Sequence, residues 1–486
     1  MKIRHPLLSV IVRGSALLLP CGCATVNPEP DCGTVMEHIG EATGQRSAYR
    51  PDQEDAIRSH VESLLSDGLT ADEAVQVCLL NNPELQAAWM EIGMARADLV
   101  QSGMLSNPTL AGSLRLPAGG GLANLEVTMA QNIADLWQIP VRQRAAQAAL
   151  DRAILRLARQ AADLAADARA AYVRAVGARE LHVVAQDNLV IARQLLNLTI
   201  GRQQVGAGSE LDANLSRGAV LEAELSVESA RLAASEARRS LARVLGLGLD
   251  AETILLSDPL PSSLPSPPPA ETMIAIALER RLDIRAAAQA VAQADARERE
   301  EILKVFPTVE IGPAMERAER KTQPGRDAPA DTDFIIGPSW GLELPLFHQN
   351  QAAIARARNA RQQAEKMGEQ VRIASMQEVR SAGDRMTTAW RIVRAYREQF
   401  VPLAQRNLDL AQQSYKAGRA SFPSVLESQR FFLETRRRLI EAMLAAAETV
   451  PELERAVGVP FRVLADSDKM PVSSQPTVQE PGGDAR

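Results

Sequence analysis

Apolar residues recur at alternating intervals of three and four residues in two long segments of the chain. The first segment carries this spacing at Leu181, Val184, Asn188, Ile191, Leu195 and Leu198, and the second at Val393, Tyr396, Phe400, Leu403, Asn407 and Leu410. Such heptad spacing is typical of helices wound around each other in a left-handed coil. The stretch from Arg142 to Gln204 contains no strong helix breaker, and as a helix it would be about 95 Å long. The pattern therefore predicts very long helical hairpins.

Shorter segments alternate between apolar and polar residues with the period of a β-strand. Their apolar positions are Leu110, Leu114 and Leu116; Leu125, Val127 and Met129; Val309 and Ile311; and Phe334, Ile336, Trp340, Leu342, Leu344 and Leu346. Alternation over about ten residues suits a strand of a membrane β-barrel, although a half-buried soluble sheet alternates as well. Four strands cannot close a barrel, and open sheet edges are not tolerated in lipid. We therefore predict a barrel shared between chains, in which three chains would supply twelve strands.

The chain is a tandem duplication. Glu84–Ala88 returns as Asp283–Ala287 at an offset of 199 residues, whereas Gly206 and Ser209 return as Gly418 and Ser421 at an offset of 212. The offset changes because the second copy has a longer polar loop, Arg317–Asp333, between its strands. We predict a first repeat over 67–260 with strands near 107–131 and a hairpin near 140–246. A proline-rich linker at 261–270 leads to a second repeat over 271–460, with strands near 307–346 and a hairpin near 348–458. Segment 23–66 would precede the repeats in the periplasm, and 461–486 would be a disordered tail.

Composition and motifs favour a transport protein over an enzyme. Aromatic residues make up only 3% of the chain, which suits closely packed helices rich in alanine. The formal charge of −6 argues against a nucleic-acid partner. The chain has no nucleophile elbow, no Walker glycine loop and no H-E-x-x-H motif, and its five histidines are scattered. We therefore predict no enzyme activity, no metal site and no cofactor.

The first residues have the pattern of an export signal. Lys2 and Arg4 precede a mostly apolar stretch that ends at Cys21-Gly22-Cys23. A lipoprotein signal needs a small residue directly before the cysteine that receives the lipid, which favours Cys23 as the attachment site and residues 1–22 as the signal. Cys21 is the alternative, and a plain secretory signal is a third possibility. Cys32 and Cys78 could pair in an oxidising periplasm, but the sequence alone does not decide it.

Several motifs, repeated in the same order in both copies, resemble the TolC family of outer-membrane efflux proteins. They are Leu69–Val75, Asn82–Leu85, Asn107–Leu110, Leu344–Phe347, Tyr415–Gly418 and Leu453–Gly458. The resemblance implies a homotrimer with a twelve-stranded barrel in the outer membrane and an α-helical tunnel in the periplasm. It also implies two partners, a periplasmic adaptor (membrane fusion protein) and an inner-membrane pump, for which we favour the resistance-nodulation-division type. The cysteine at the signal resembles the lipoprotein branch of the family, anchored in outer-membrane lipid.

The two hairpin tips are the candidate functional sites, since in the TolC family they dock the adaptor and narrow the resting channel. By this resemblance the adaptor contacts would be Val205, Gly206, Ala207 and Gly418. Glu210 and Asp212 would form rings of charge at the periplasmic constriction, and Arg202 and Arg419 would hold the mouth closed by pairing with these acids. In the alternative interpretation, Asp212 or the serines Ser209 and Ser421 only cap the returning helices and Glu210 is only solvated.

Three functions compete at this stage. The favoured one is the passive exit duct of a tripartite efflux system. The second is the outer-membrane component of a type I protein secretion system. The third, from a different class, is a periplasmic coiled-coil adaptor or scaffold without a pore, against which the amphipathic strand pairs argue.

The signal pattern yields a direct test. We expect the mature protein to begin at an acylated Cys23, because Gly22 is the small residue that precedes it. Mass spectrometry of the mature N-terminus measures this. Substitution of Cys23 by Ala should abolish the lipid mass, whereas Cys21→Ala should not. An unlipidated start elsewhere would contradict the assignment.

Overall fold

The computed structural model describes residues 25–50, 53–116, 118, 123–248, 253–317 and 334–467. The proposed signal, Cys21, Cys23 and residues beyond 467 lie outside these ranges. The helices are α1 (Glu29–Thr43), α2 (Glu54–Ser66), α3 (Ala71–Asn81), α4 (Pro83–Ser102), α5 (Asp135–Gln204), α6 (Glu210–Val244), α7 (Ala270–Arg280), α8 (Leu282–Leu303), α9 (Gln351–Ala395), α10 (Val401–Lys416), α11 (Phe422–Val457) and α12 (Phe461–Ser467). The strands are β1 (Thr109–Arg115), β2 (Asn124–Asn132), β3 (Val309–Arg317) and β4 (Phe334–Leu342).

The described residues group into two compact units, and each unit draws on both repeats. One unit includes Ile92–Leu150 and Asp295–Ala357 and holds the strands. The other includes Asp31–Glu91, Asp151–Ala294 and the chain from Arg358 onward, and it holds the hairpin tips. The compact units therefore cut across the tandem repeat, since helices of both copies pack together.

The four strands form one antiparallel sheet in the order β1-β2-β3-β4. The central contact joins the two repeats, because β2 of the first copy pairs with β3 of the second, for example Thr128 with Ala314. Strands β1 and β4 lie at the two edges of this sheet. Each edge strand thus has a row of backbone N–H and C=O groups without a partner in the sheet.

Pairing register separates an apolar from a polar face of the sheet. Leu110 lies opposite Met129, and Ile311 lies opposite Trp340, all on one face. Ser113 lies opposite Glu126 on the other face, where the serine hydroxyl donates a hydrogen bond to the carboxylate. The apolar face is uncovered in a single chain, with Leu110 76% and Trp340 77% exposed. Within the strands the alternation read from the sequence matches this register, whereas Leu116, Leu344 and Leu346 lie beyond the ends of β1 and β4.

Helix α5 is 70 residues long, which corresponds to about 105 Å. The first heptad seam lies on the side of α5 that packs against other helices of the chain. There Val184 and Leu195 are buried, and Ile191 packs against a buried cluster of the second copy that includes Leu408. The prediction of a packed seam in the first copy is therefore confirmed.

The second heptad seam is only partly covered within one chain. A π-helical turn at Tyr396–Phe400 interrupts the second hairpin just before Pro402, which has no N–H to donate to the helix. The extra residue of a π turn rotates the following helix, so that Ala404 and Leu408 are buried while Leu403 and Leu410 are exposed. The predicted seam positions from Phe400 onward therefore face outward in a single chain.

The C-terminal prediction is also corrected in part. Residues 461–467, which the sequence analysis placed in a disordered tail, form helix α12. Phe461 and Leu464 are buried in a cluster with Met273, Val379 and Leu453, and this burial of apolar area stabilises the short helix. No helix within the described ranges combines the length and apolar character needed to cross a membrane.

Gly312 in β3 offers a test of the sheet. A Cβ atom at this position would lie 1.6 Å from the backbone oxygen of Met129, so backbone must move to admit any side chain. We expect Gly312→Ala to destabilise the protein by about 1–3 kcal/mol through this overpacking. Thermal unfolding of the purified protein measures the effect. The matched control is Gly337→Ala in β4, where a Cβ meets nothing within 4 Å. Equal unfolding temperatures of the two variants would contradict the packing described for β3.

Candidate functional site

The first hairpin ends in a tight turn, tip one (Val205–Asp212), whose geometry requires a glycine. Gly206 has a φ of +74°, a conformation that L side chains rarely adopt. Its N–H donates to the Gln203 carbonyl, and the Ala207 N–H donates to the Arg202 carbonyl. This pair of bonds is the Schellman arrangement that satisfies the last carbonyls of a helix. Helix α6 then starts from Ser209, whose hydroxyl accepts the Asp212 N–H at 3.2 Å.

Tip two (Ala417–Ser424) repeats the same turn in the second copy. Gly418 has a φ of +71°, and its N–H donates to the Tyr415 carbonyl while the Arg419 N–H donates to the Ser414 carbonyl. Ser421 stands at the N-cap of α11, but its side chain makes no capping bond. Of the predicted caps, then, only Ser209 acts through its side chain. Asp212 is not a cap, since it lies in the first turn of α6.

A small aromatic cluster supports tip two. Tyr415 and Phe422 face each other edge to face with ring centres 5.7 Å apart, and both rings are buried. Leu195 of α5 and Val425 complete the buried set. Because Leu195 belongs to the first hairpin, this cluster packs the two hairpins together near their tips.

Arg202 connects the two tips through its guanidinium group. One terminal nitrogen donates to the Tyr415 carbonyl at 2.9 Å, and the other donates to the Ala207 carbonyl at 3.0 Å. The same group lies over the Tyr415 ring, 4.4 Å from its centre. A planar fork can make these three contacts at once, which a lysine ammonium could not.

The side chain of Tyr415 is buried, with the Asp212 carboxylate and the Arg202 guanidinium as its charged neighbours. Its side chain is 4% exposed, and its hydroxyl has no hydrogen-bond partner in the described structure. Burial first, and then the nearby Asp212 carboxylate, raise the pKa of Tyr415, while Arg202 acts in the opposite direction. The phenol therefore stays neutral at physiological pH.

The predicted site residues are accessible. Val205, Ala207, Gly418 and Arg419 are exposed at the two tips, with Val205 at 77%. Glu210 is exposed as well, and Asp212 is half-buried. The predicted pairing of Arg202 or Arg419 with these acids does not occur within the described part of one chain, where Arg202 binds carbonyl groups instead. The roles in docking and constriction stay predictions.

Tyr415 and Phe422 are site residues that the reasoning from sequence did not select. At the offset of 212, Tyr415 corresponds to Gln203 and Phe422 to Glu210, so neither aromatic residue has an aromatic counterpart. That difference between otherwise matched tips was the available signal. It did not reveal that Arg202 of the first copy stacks on Tyr415 of the second.

Reactive or metal-binding groups are not gathered elsewhere in the described ranges. Cys32 and Cys78 do not form a disulfide with each other. Burial raises the pKa of the Cys78 thiol to about 12, which makes it unreactive at neutral pH. The described residues contain no group of three or more His, Cys, Asp or Glu side chains able to hold a metal ion.

Comparison with known proteins identifies the family. The model of the outer membrane efflux protein family matches residues 74–247 and 273–459, one segment in each repeat. The chain belongs to this family. The match confirms the resemblance to TolC-like proteins and the role as an outer-membrane efflux protein. It also favours that role over a scaffold without a pore.

Individual relatives agree with the assignment. Protein CyaE of Bordetella pertussis is 28% identical over 396 residues, covering 76% of this chain and 80% of the relative. The pyoverdine export outer membrane protein OpmQ of Pseudomonas aeruginosa is 23% identical, covering 80% and 84%. The CmeC outer membrane channel of Campylobacter jejuni has the same fold, with a TM-score of 0.64 at 17% identity over 80% of this chain and 85% of that one. The predicted fold class, long helical hairpins with four strands per chain, is confirmed.

The contacts of Arg202 predict a local effect on both tips. We expect Arg202→Ala to weaken the turns by about 1–2 kcal/mol and to speed local opening roughly tenfold, because two charge-assisted hydrogen bonds and a ring contact are lost. Hydrogen exchange at the Ala207 and Arg419 amides of the purified full chain measures this. The matched control is Arg217→Ala, since the exposed Arg217 guanidinium donates to the Asn214 side chain one turn away on the same helix. Identical exchange in both variants would show that Arg202 does not join the tips.

Proposed function

We propose that this chain is one protomer of a lipid-anchored trimer that forms the passive exit duct of a tripartite efflux system. Substrate would arrive from an inner-membrane pump through a periplasmic adaptor and leave across the outer membrane. The pump supplies the energy, and this protein supplies the passage. The observation that carries the proposal is the pair of exposed hairpin tips, held together in one chain by Arg202.

The sheet supports an assembly of several copies. Strands β1 and β4 have open edges, and the apolar face with Leu110 and Trp340 is uncovered. A lipid-facing surface requires this apolar character, but lipid does not tolerate unpaired strand edges. Three copies joined edge to edge would satisfy the edge groups and close a barrel of twelve strands.

The helices support the same assembly. Leu211, Leu225 and Leu232 lie fourteen and seven residues apart on the exposed side of α6, and Leu403 and Leu410 lie seven residues apart on α10. Such stripes are the seams by which helices pack against other helices. Neighbouring protomers would cover them in a tunnel of long hairpins.

The tips would form the periplasmic mouth of this tunnel. Val205, Gly206, Ala207 and Gly418 would contact the adaptor, since these residues are exposed and open to approach. Glu210 and Asp212 would form rings of carboxylates that favour cations at the constriction. Arg202 and Arg419 would help to hold the resting mouth closed.

The anchor and the pump are the finer parts of the proposal. Lipid attachment at Cys23 rests on the signal pattern of the sequence, and a resistance-nodulation-division pump rests on the family resemblance. The pyoverdine export relative supports a small organic cargo. Type I protein secretion is the second candidate, in which the same duct would serve an ATP-driven transporter.

Gly418 allows a sharp test of the mouth. We expect Gly418→Trp to abolish export and cross-linking to the adaptor, because a large side chain would occupy the docking surface and a residue other than glycine is strained by roughly 1–2 kcal/mol in this conformation. Trimers should persist, since the helices and strands are unchanged. Gly418→Asn separates bulk from strain, as Asn tolerates the left-handed region.

The matched control is Gly33→Trp on α1, an exposed glycine outside the tips and the proposed seams, where a Cβ also meets nothing within 4 Å. It should retain export. If Gly418→Trp leaves export and adaptor cross-linking at the level of this control, tip two is not the docking site.

A further inference from the structure

The two hairpin tips of one chain carry opposite charges. Tip one ends with the acids Glu210 and Asp212. Tip two contains Arg419 and follows directly on Lys416, the last residue of α10. Among these four side chains, those of Glu210, Lys416 and Arg419 are exposed and that of Asp212 is half-buried. The surface at this end of the hairpins therefore carries both negatively and positively charged side chains.

Comparison of the two copies shows that the charges arose at different positions of the same turn. At the offset of 212, each charged residue corresponds to an uncharged one: Lys416 to Gln204, Arg419 to Ala207, Glu210 to Phe422 and Asp212 to Ser424. The backbone of the turns is nonetheless the same, with a Schellman bond pair and a left-handed glycine in each. The copies thus retained their shape and diverged in charge.

The opposite charges do not neutralise each other within one chain. Arg202 brings the tips into contact, yet no ion pair links Lys416 or Arg419 to Glu210 or Asp212 in the described ranges. The guanidinium of Arg202 is already bound to two carbonyl groups. Three of these charges would serve the resting constriction, and all four are available to a partner that docks when the mouth opens.

We propose that the two tips recognise different surfaces of one partner, so that tip one docks a basic surface and tip two an acidic surface of a periplasmic adaptor. This inference rests on the adaptor docking proposed above. Val205 and Ala417, the exposed apolar residues directly before the two glycines, make the uncharged contact between the charges. Charge complementarity at an exposed rim sets register more than affinity. If the partner shifted so that its basic surface met tip two, or its acidic surface met tip one, like charges would face each other. This repulsion disfavours the wrong register.

The test uses the purified full chain with a photo-cross-linking residue at Val205 or at Ala417. The probes are two designed helical hairpin proteins that differ only in their loops, one acidic and one basic. We expect Ala417 to capture the acidic hairpin, and Val205 the basic hairpin, with roughly a three- to tenfold preference at low salt, as for two exposed ion pairs. Molar salt should remove the preference by screening.

Charge reversal supplies the decisive variant. Lys416→Glu combined with Arg419→Glu should invert the preference at Ala417, whereas Val205 should still capture the basic hairpin. The matched control is Arg406→Glu, an exposed arginine on α10 away from the tip, which should change neither. Equal capture of both hairpins, or a preference that the reversal does not move, overturns the inference.

Two further outcomes separate this inference from the docking on which it rests. If Gly418→Trp abolishes adaptor cross-linking while charge reversal has no effect on it, docking stands and the charge rule fails. If Gly418→Trp has no effect either, docking at the tips fails as well. Cross-links between Val205 and Ala417 of neighbouring copies, without capture of a hairpin, would assign the charges to contacts between copies.

Discussion

The rest of this structure depends on one constraint, which is that the backbone N–H and C=O groups along the outer edges of β1 and β4 have no partner in the sheet. A four-stranded antiparallel sheet has two open edges, and each edge presents backbone groups that must be paired wherever water is absent. The apolar face next to those edges is suited to lipid and not to water. A single chain therefore satisfies neither its edges nor its face. The family role as an outer-membrane efflux protein resolves this conflict, because an assembly of chains can pair the edges while lipid covers the apolar face.

The duplication gives each repeat the same plan but not the same packing. Both copies end their long helix with a glycine of positive φ and the same pair of turn bonds. Between the strands and the tip, however, the second copy contains the π turn at Tyr396–Phe400, and the residues beyond it are rotated. One consequence is that Leu403 and Leu410 face outward, where a neighbouring chain can cover them. A local change in hydrogen bonding thus converts an inner seam into an outer one.

The contact of Arg202 with Tyr415 shows how the copies became dependent on each other. Neither residue has a counterpart of its own kind at the matching position, since Arg202 corresponds to Ser414 and Tyr415 to Gln203. Only together do they form the stacked pair that joins the tips. The joined tips keep their glycines and most of their charged side chains at the surface.

The repeat, the strands, the hairpins and the tips could all be predicted from the sequence, because they depend on local periodicity and on turns that need glycine. Family membership followed from the same motifs in the same order. The tertiary structure alone decided which residues meet across the two copies, such as Arg202 with Tyr415. It likewise decided that residues 461–467 form a short terminal helix, which is held by the buried side chains of Phe461 and Leu464. It also decided that the second seam faces outward. These features depend on contacts between residues far apart in the chain and on the rotation at one π turn, and the spacing of apolar residues contains neither kind of information.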